Sequence, residues 1–359
     1  MSPAQTTMPP LPLEIRTRPD ILGLSIEEIA GLAALDGEPR YRAAQIFRWL
    51  HQRAASSVME MTDLPEELRR ALDRTVRIPR VVPSRVEAST GDAATKTVLK
   101  MEDGNVVESV LMREGAKRTL CVSTQVGCAV GCVFCATGAI GLTRHLSAGE
   151  ILRQIYDAEA RLGAEAAPGR LTNVVLMGMG EPLHNFDAVR RALTNLVSPR
   201  GRKMSSRRIT LSTSGYPERI ARLAKEGPAV RLAISLTAAT NELRTRLIPL
   251  NKKHPIEALI EAGRIYEETT GSRVTYEYVL LAGVNDSEGD ARRLARLLRG
   301  RRVNLIPLNP HAFSPMQPPA PEVVDRFHAV LKGLGITSTV RWSKGREIQA
   351  ACGQLAAQA

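Results

Sequence analysis

From residue 119 onward the chain alternates short apolar runs with longer amphipathic ones, and that rhythm limits the fold more than any other feature. The runs Thr119–Ser123, Asn173–Met177, Arg208–Ser212, Val230–Leu236, Arg273–Leu280 and Val303–Pro307 predict strands. Between them, helices are predicted over 147–162, 186–197, 217–226, 255–269 and 286–298. Ser147 followed by Glu150 has capping-box spacing at the first of these. Strands that alternate with helices pair in parallel through right-handed crossovers, so the fold class is α/β. A closed (β/α)8 barrel needs two more units, which predicts a partial (β/α)6 barrel.

The flanks read differently. Residues 1–20 are rich in Pro and Thr and are expected to be loose. Apolar spacing then predicts a small helical accessory domain over 21–80, with helices from Ser25, over Tyr41–Gln52 and over Leu64–Thr75. Over 81–118 the period falls to two. Thr95–Met101 and Val106–Met112, split by Glu102-Asp103-Gly104-Asn105, predict a β-hairpin extension. The barrel domain is expected over 119–342, ending in one more helix and a strand near Thr337–Trp342. Residues 343–359 form a tail that carries Cys352.

Charge narrows the partners. Forty-nine Lys and Arg against 37 Asp and Glu give +12, which favours a polyanionic partner, either nucleic acid or an anionic membrane surface, over a neutral small molecule. Arg200, Arg202, Lys203, Arg207 and Arg208 form one dense basic segment, and Arg299–Arg302 another. Aromatics make up only 4%, which argues against a binder built on stacked aromatic platforms. No run of 18 apolar residues spans a bilayer, and the N-terminus lacks a basic export signal. A cytoplasmic chain with no membrane partner is expected.

Chemistry concentrates in STQVGCAVGCVFCATG, where Cys128-x3-Cys132-x2-Cys135 follows the first barrel strand. That is the end at which β/α folds hold their sites. Structural zinc closes with four ligands, and this group supplies three. Ferredoxin spacings differ as well. Three thiolates suit a 4Fe-4S cluster with one iron open to another ligand. The second strand runs into Met177-Gly178-Met179-Gly180-Glu181-Pro182, where glycines permit close backbone approach and Glu181 can accept from an amine. Alone, it is equally well an ordinary strand-to-loop turn. Ser212, then Ser235-Leu236-Thr237, then Asn309 end further strands, and polar strand ends around one rim make a ligand pocket.

Cys352 stands apart in Ala350-Ala351-Cys352-Gly353-Gln354-Leu355, and its glycine neighbour suggests a mobile, exposed thiol. Alone it would pass as structural or incidental. Glu108, in Val106-Val107-Glu108-Ser109-Val110, shares a strand face with two valines. It is either an edge-strand charge or a carboxylate whose apolar surroundings raise its pKa toward that of a base. His184, His254 and His311 are read as solvated or capping residues.

The three-cysteine motif resembles that of the radical-SAM superfamily, whose cluster is completed by S-adenosylmethionine. Together with LTNVVLMGMGEPLHN, RRITLSTSG, AISLTAAT, LIPLNP and REIQAACGQLA, it resembles the ribosomal RNA adenine C2-methyltransferases over most of the chain. These are radical-SAM methyl synthases, and a close relative methylates adenine C8. The resemblance implies C2 methylation of adenosine 2503 in 23S rRNA and adenosine 37 in tRNAs, with two S-adenosylmethionine consumed per turnover. It implies that Cys352 takes a methyl group from one molecule, while the other yields a 5′-deoxyadenosyl radical that activates that methyl for addition to the ring.

By the same resemblance Cys121 releases the covalent adduct through a disulfide with Cys352, and Glu108 accepts the C2 proton. Cys128, Cys132 and Cys135 hold the cluster. Gly180, Glu181, Ser212, Ser235, Leu236, Thr237 and Asn309 hold S-adenosylmethionine. The partners implied are 23S rRNA, tRNA and an electron donor such as flavodoxin or ferredoxin, for a monomeric chain. Adenine C8 methylation would use the same five cysteines, and a non-methylating iron–sulfur RNA-binding protein would not need Cys352. The chain departs from relatives at Thr237, where His is common, and in the tail at Arg346 and Gln349.

Overall fold

The computed structural model describes residues 17–91, 93–165 and 169–356. Most of the segment expected to be loose, 1–16, lies outside them. Pro19 and Asp20, also assigned to it, are instead tied to the fold. The Arg77 amide donates to the Pro19 carbonyl and the Ile21 amide to the Arg77 carbonyl, each at 3.0 Å.

Three helices follow: α1 (Ile26–Ala30), α2 (Tyr41–His51) and α3 (Glu66–Thr75). Ser25 and Glu28 close a capping box on α1. Ile46, Phe47 and Leu50 of α2 are buried against the main core. The chain then enters a ten-stranded sheet. Strands β1 (Val81–Ala88), β2 (Ala94–Met101), β3 (Val106–Glu114) and β4 (Lys117–Cys121) form an antiparallel meander. The expected hairpin therefore has a third strand, β1, whose exposed Arg85 and Val86 and interior Pro83 blur the alternation that would have marked it.

Beyond β4 a two-stranded ribbon, β5 (Gln125–Gly127) with β6 (Leu142–His145), brackets the short helix α4 (Ala136–Ala139) and all three motif cysteines. Next come α5 (Ala148–Gly163), β7 (Asn173–Leu176), α6 (Phe186–Val197), β8 (Ile209–Thr213), α7 (Pro217–Glu226), β9 (Arg231–Ser235), α8 (Asn241–Leu247), α9 (Ile256–Thr270), β10 (Val274–Leu280), α10 (Glu288–Leu297), β11 (Arg302–Pro307), α11 (Pro321–Gly333) and β12 (Thr337–Val340).

β4, β7, β8, β9, β10, β11 and β12 are all parallel and lie side by side in chain order. Six β/α units thus form the partial barrel, closed off by β12. Each crossover helix turns apolar residues onto the sheet, as Ile151, Leu152 and Ile155 of α5 and Val324, Phe327 and Leu331 of α11 do. The capping box at Ser147 and Glu150 is present. Because the strands run in one direction, their C-terminal ends share one rim.

Candidate active site

That rim holds a cavity to which nearly every parallel strand contributes. Cys132 and Cys135 enter from the loop after β4, Gly178, Gly180 and Glu181 from beyond β7, and Ser212 and Thr213 from β8. Ser235 ends β9, Glu277 lies in β10, Asn309 follows β11 and Arg341 follows β12, while Cys352 and Gly353 arrive from the tail. Leu236 and Thr237, expected with Ser235, are absent from the wall and fully buried. Their amides donate to the Glu277 carbonyl, and Thr237 adopts a left-handed φ of 59° with its hydroxyl unpartnered.

Glu181 is fixed before any ligand arrives. Its Oε1 accepts from the Thr213 hydroxyl at 2.7 Å and the Leu183 amide at 2.9 Å, and Oε2 from the Ser214 amide at 2.7 Å. Burial raises its pKa against these bonds. Gly180 is required here: at φ +103° its position leaves a Cβ only 2.6 Å from the Gln125 side chain. Gln125 in turn accepts from the Glu181 amide at 2.7 Å.

The motif cysteines sit in an apolar jacket. Cys128, Cys132 and Cys135 pack against Val130, Phe134, Ala238, Leu247, Ile248, Leu281 and Leu308. Burial pushes the Cys128 thiol up to about 12 and raises Cys132 and Cys135, with Cys135 adding to the rise at both Cys128 and Cys132. Thiolates in such surroundings need a bound cation. Among the described residues no three Cys, His, Asp or Glu side chains converge as ligands of one ion. Three thiols in one apolar shell make the donor set of a cluster with one iron left open, whereas a structural zinc site closes with four ligands.

Around Cys352 the tail is pinned to the barrel, where the neighbouring glycine suggested a mobile thiol. The Gly353 carbonyl accepts from the Ala136 amide at 2.7 Å, the Leu355 carbonyl from the Thr137 hydroxyl at 2.5 Å, and the Cys352 carbonyl from Asn309 at 3.0 Å. Asn309 spends its other amide proton on the Ser343 hydroxyl, so in this arrangement it anchors the tail. Ala350, Ala351 and Leu355 are buried, and their contacts overcome the flexibility that glycine allows.

The same packing brings Cys352 and Cys121 into the wall of one small pocket, with Met177 and Arg341. Cys352 also lines the larger cavity, so it faces both. Burial pushes the Cys121 thiol up to about 12, helped by Cys352 and opposed by Arg341. Arg341 itself is raised, chiefly by Cys352 and against its own burial. Its one side-chain acceptor among the described residues is the Met177 sulfur at 3.8 Å.

Glu108 is 3% exposed on β3. Burial raises its pKa, and Lys96, at 3.4 Å, opposes that. Its Oε2 accepts from the Ala356 amide of the tail at 2.9 Å. His184 stacks on Tyr216 and His311 reaches the Phe134 carbonyl at 3.1 Å, so neither is a plain solvated side chain.

Sequence reasoning missed Arg244, Glu277 and Arg341. Arg244 is fully buried, donating to the carbonyls of Ser214 (2.6 Å), Ser235 (3.0 Å) and Leu236 (3.1 Å), and so ties two strand ends at the rim. Glu277 is buried in a strand interior with Oε2 unpartnered. Arg and Glu are so often surface residues that neither position carries a signal by composition or period.

Comparison with known proteins agrees with this architecture. Residues 122–295 match the Radical SAM superfamily, and 19–78 match the ribosomal RNA large subunit methyltransferase N-terminal domain. A crystal structure of a radical SAM methyltransferase from Sphaerobacter thermophilus superposes with a TM-score of 0.88 at 47% identity, covering 95% of this chain and all of that one. The probable dual-specificity RNA methyltransferase RlmN of Moorella thermoacetica is 48% identical over 94% of this chain and 97% of its own length. The dual-specificity RNA methyltransferase RlmN of an Anaeromyxobacter species is 46% identical over 98% and 93%.

A partial parallel barrel with three thiols in the loop after its first strand is the design of a radical SAM enzyme, which works with a 4Fe-4S cluster and S-adenosylmethionine. Within that class, the chain belongs to the RlmN family of dual-specificity RNA methyltransferases.

Proposed function

We propose that this chain methylates C2 of adenosine in 23S rRNA and in tRNA, at adenosine 2503 and adenosine 37 respectively, through a methyl group carried on Cys352. The observation that carries the reading is Cys352 itself, which lines the rim cavity on one side and shares a pocket with Cys121 on the other. A carrier thiol needs both neighbours, one to load and one to release it.

Cys128, Cys132 and Cys135 would hold the cluster, and Gly180, Glu181, Ser212, Ser235 and Asn309 would hold S-adenosylmethionine at the rim. Leu236 and Thr237 would act only through the backbone that shapes Ser235. When bound, this pair supplies a 5′-deoxyadenosyl radical, with the electron coming from a donor such as flavodoxin or ferredoxin.

The chain's own residues do the rest. The Cys352 sulfur takes a methyl group by displacement, from its place beside Arg341 in the wall of both cavities. Once sulfur and ring are joined through a methylene, Glu108 accepts the C2 proton, the C–H electron pair stays with the ring, and the one electron left over from radical addition would leave to an acceptor, which the oxidised cluster held by Cys128, Cys132 and Cys135 would supply. The Cys121 thiolate then attacks the Cys352 sulfur. The S–CH2 bond breaks, its electron pair goes to carbon, and that carbon takes a proton to become the methyl group. Two thiols are thereby oxidised to a disulfide, which an external dithiol reduces. The basic surface would grip RNA phosphates, and the target adenine would enter unstacked.

Mass spectrometry of nucleosides from cells with and without the gene tests this. Gene-dependent 2-methyladenosine in both rRNA and tRNA is expected. Appearance of 8-methyladenosine instead would overturn the regiochemistry, and absence of either from cells holding cluster-loaded protein would overturn the activity.

A further inference from the structure

A row of charges crosses the antiparallel meander behind Glu108. Lys96 Nζ lies 3.4 Å from Glu108 Oε1 and 3.1 Å from Glu87 Oε2. Glu87 is directly opposite Lys96 in the β1–β2 register, while Lys96 faces Val110, placing Glu108 on the diagonal. The Lys96 and Glu108 side chains are almost wholly enclosed, whereas Glu87 is a third exposed and receives Arg85 at 2.9 Å. Burying an ammonium between two carboxylates is a poor route to stability, because desolvation offsets most of the attraction.

We propose that Lys96 is a positioning residue for the proton step, holding Glu108 ionised and aimed while Glu87 draws part of the ammonium's charge away. The proposal rests on the reading of Glu108 as proton acceptor. In that step the C2–H bond breaks, its electrons return to the ring, and an O–H bond forms on Glu108. The groups acting on Glu108 are Lys96, the Ala356 amide of the tail and, more distantly, Arg85. Lys96 gives the carboxylate its only ion pair among the described residues.

The two neighbours therefore act with opposite sign. Without the ammonium, Glu108 ionises only at higher pH. Without Glu87, Lys96 serves Glu108 alone and ionisation comes at lower pH.

The test uses cluster-loaded protein carrying Cys121→Ala, which halts the sequence at the covalent adduct, and RNA deuterated at the target C2. Loss of deuterium from the trapped adduct is followed by mass spectrometry across pH. Lys96→Met should move the midpoint up by about one pH unit and slow the loss about tenfold on the acid side of that midpoint. Lys96→Arg should restore most of it, and Glu87→Gln should move the midpoint down. Methyl occupancy of Cys352 should stay at the parent's level in all three.

A Lys96→Met profile superimposing on the parent's overturns the proposal, as does an upward shift in Glu87→Gln, which a merely loosened strand would give. If Lys96→Met does not fold, the direction of the Glu87→Gln shift decides. Glu108→Gln run in parallel separates the two readings: retained deuterium loss there removes Glu108 as acceptor. Blocked loss there, beside an unshifted Lys96→Met, removes only Lys96.

Discussion

Burial pushes the thiols of both Cys121 and Cys128 up to about 12, yet their neighbours differ in sign. Cys128 faces Glu181 and Cys135, which raise it further, so only a metal can make it a thiolate. Cys121 faces Cys352, which raises it too, but also Arg341, a cation that favours the anion and that Cys128 lacks. That difference supports the proposed roles, ligation for Cys128 and exchange for Cys121. Replacing Cys352 by Ala should abolish methylation while iron content stays at the parent's level. Replacing Cys121 by Ala should leave protein and RNA covalently joined, visible as a shifted band on a denaturing gel. Since the Cys121 thiol titrates far above neutral, its thiolate fraction rises about tenfold per pH unit across the neutral range. Adduct release should quicken with pH, and Arg341→Gln should slow it about tenfold or more in single-turnover decay.

Asp20 shows how one side chain joins two elements. Its carboxylate caps the turn at Leu22 and Gly23 and also accepts from the Ser147 hydroxyl (2.6 Å) and the Gly149 amide (3.0 Å) at the start of α5. A Cβ at Gly149 would come within 2.3 Å of it, so the close approach requires glycine. Asp20→Ala strands these buried donors and should cost about 2–4 kcal/mol, read as a lower urea midpoint with unchanged slope. Asp20 lay in a Pro-rich stretch with no periodicity, and nothing local announced this bridge.

The six β/α units were legible because each helix and strand carries its own period, and the capping box at Ser147 because its spacing is local. β1 was not, since its exposed Arg85 breaks the alternation. β5, β6 and α8 were not, being too short to establish a period. In the site, motif cysteines and strand-end residues could be read because chemistry and spacing coincide there. Asn309 is on the rim as expected, but its amide protons go to the tail. Lys96, Arg244 and Arg341 matter through partners on other elements, which the period of their own element does not encode.

The surplus of +12 is not spread evenly in its consequences. Part of the basic segment read from the sequence is used internally: Arg202 pairs with Glu159, and Arg208 donates to the Thr172 carbonyl. Lys203 and Arg207 are exposed and have no side-chain partner among the described residues, leaving their charge to the solvent side. If this face meets RNA phosphates, each free cation displaces about one condensed counterion, giving a slope of roughly 0.7–0.9 in log affinity against log salt. The double change Lys203→Gln with Arg207→Gln should therefore weaken RNA binding most at low salt and flatten that slope by about 1.5. Arg202→Gln should change the slope little, because Glu159 already neutralises that side chain, and should instead lower thermal stability slightly. Filter-binding titrations at several salt concentrations separate the two cases. Equal slopes for parent and double variant would place the RNA grip elsewhere, with Arg299 and Arg302 the next exposed cations to test.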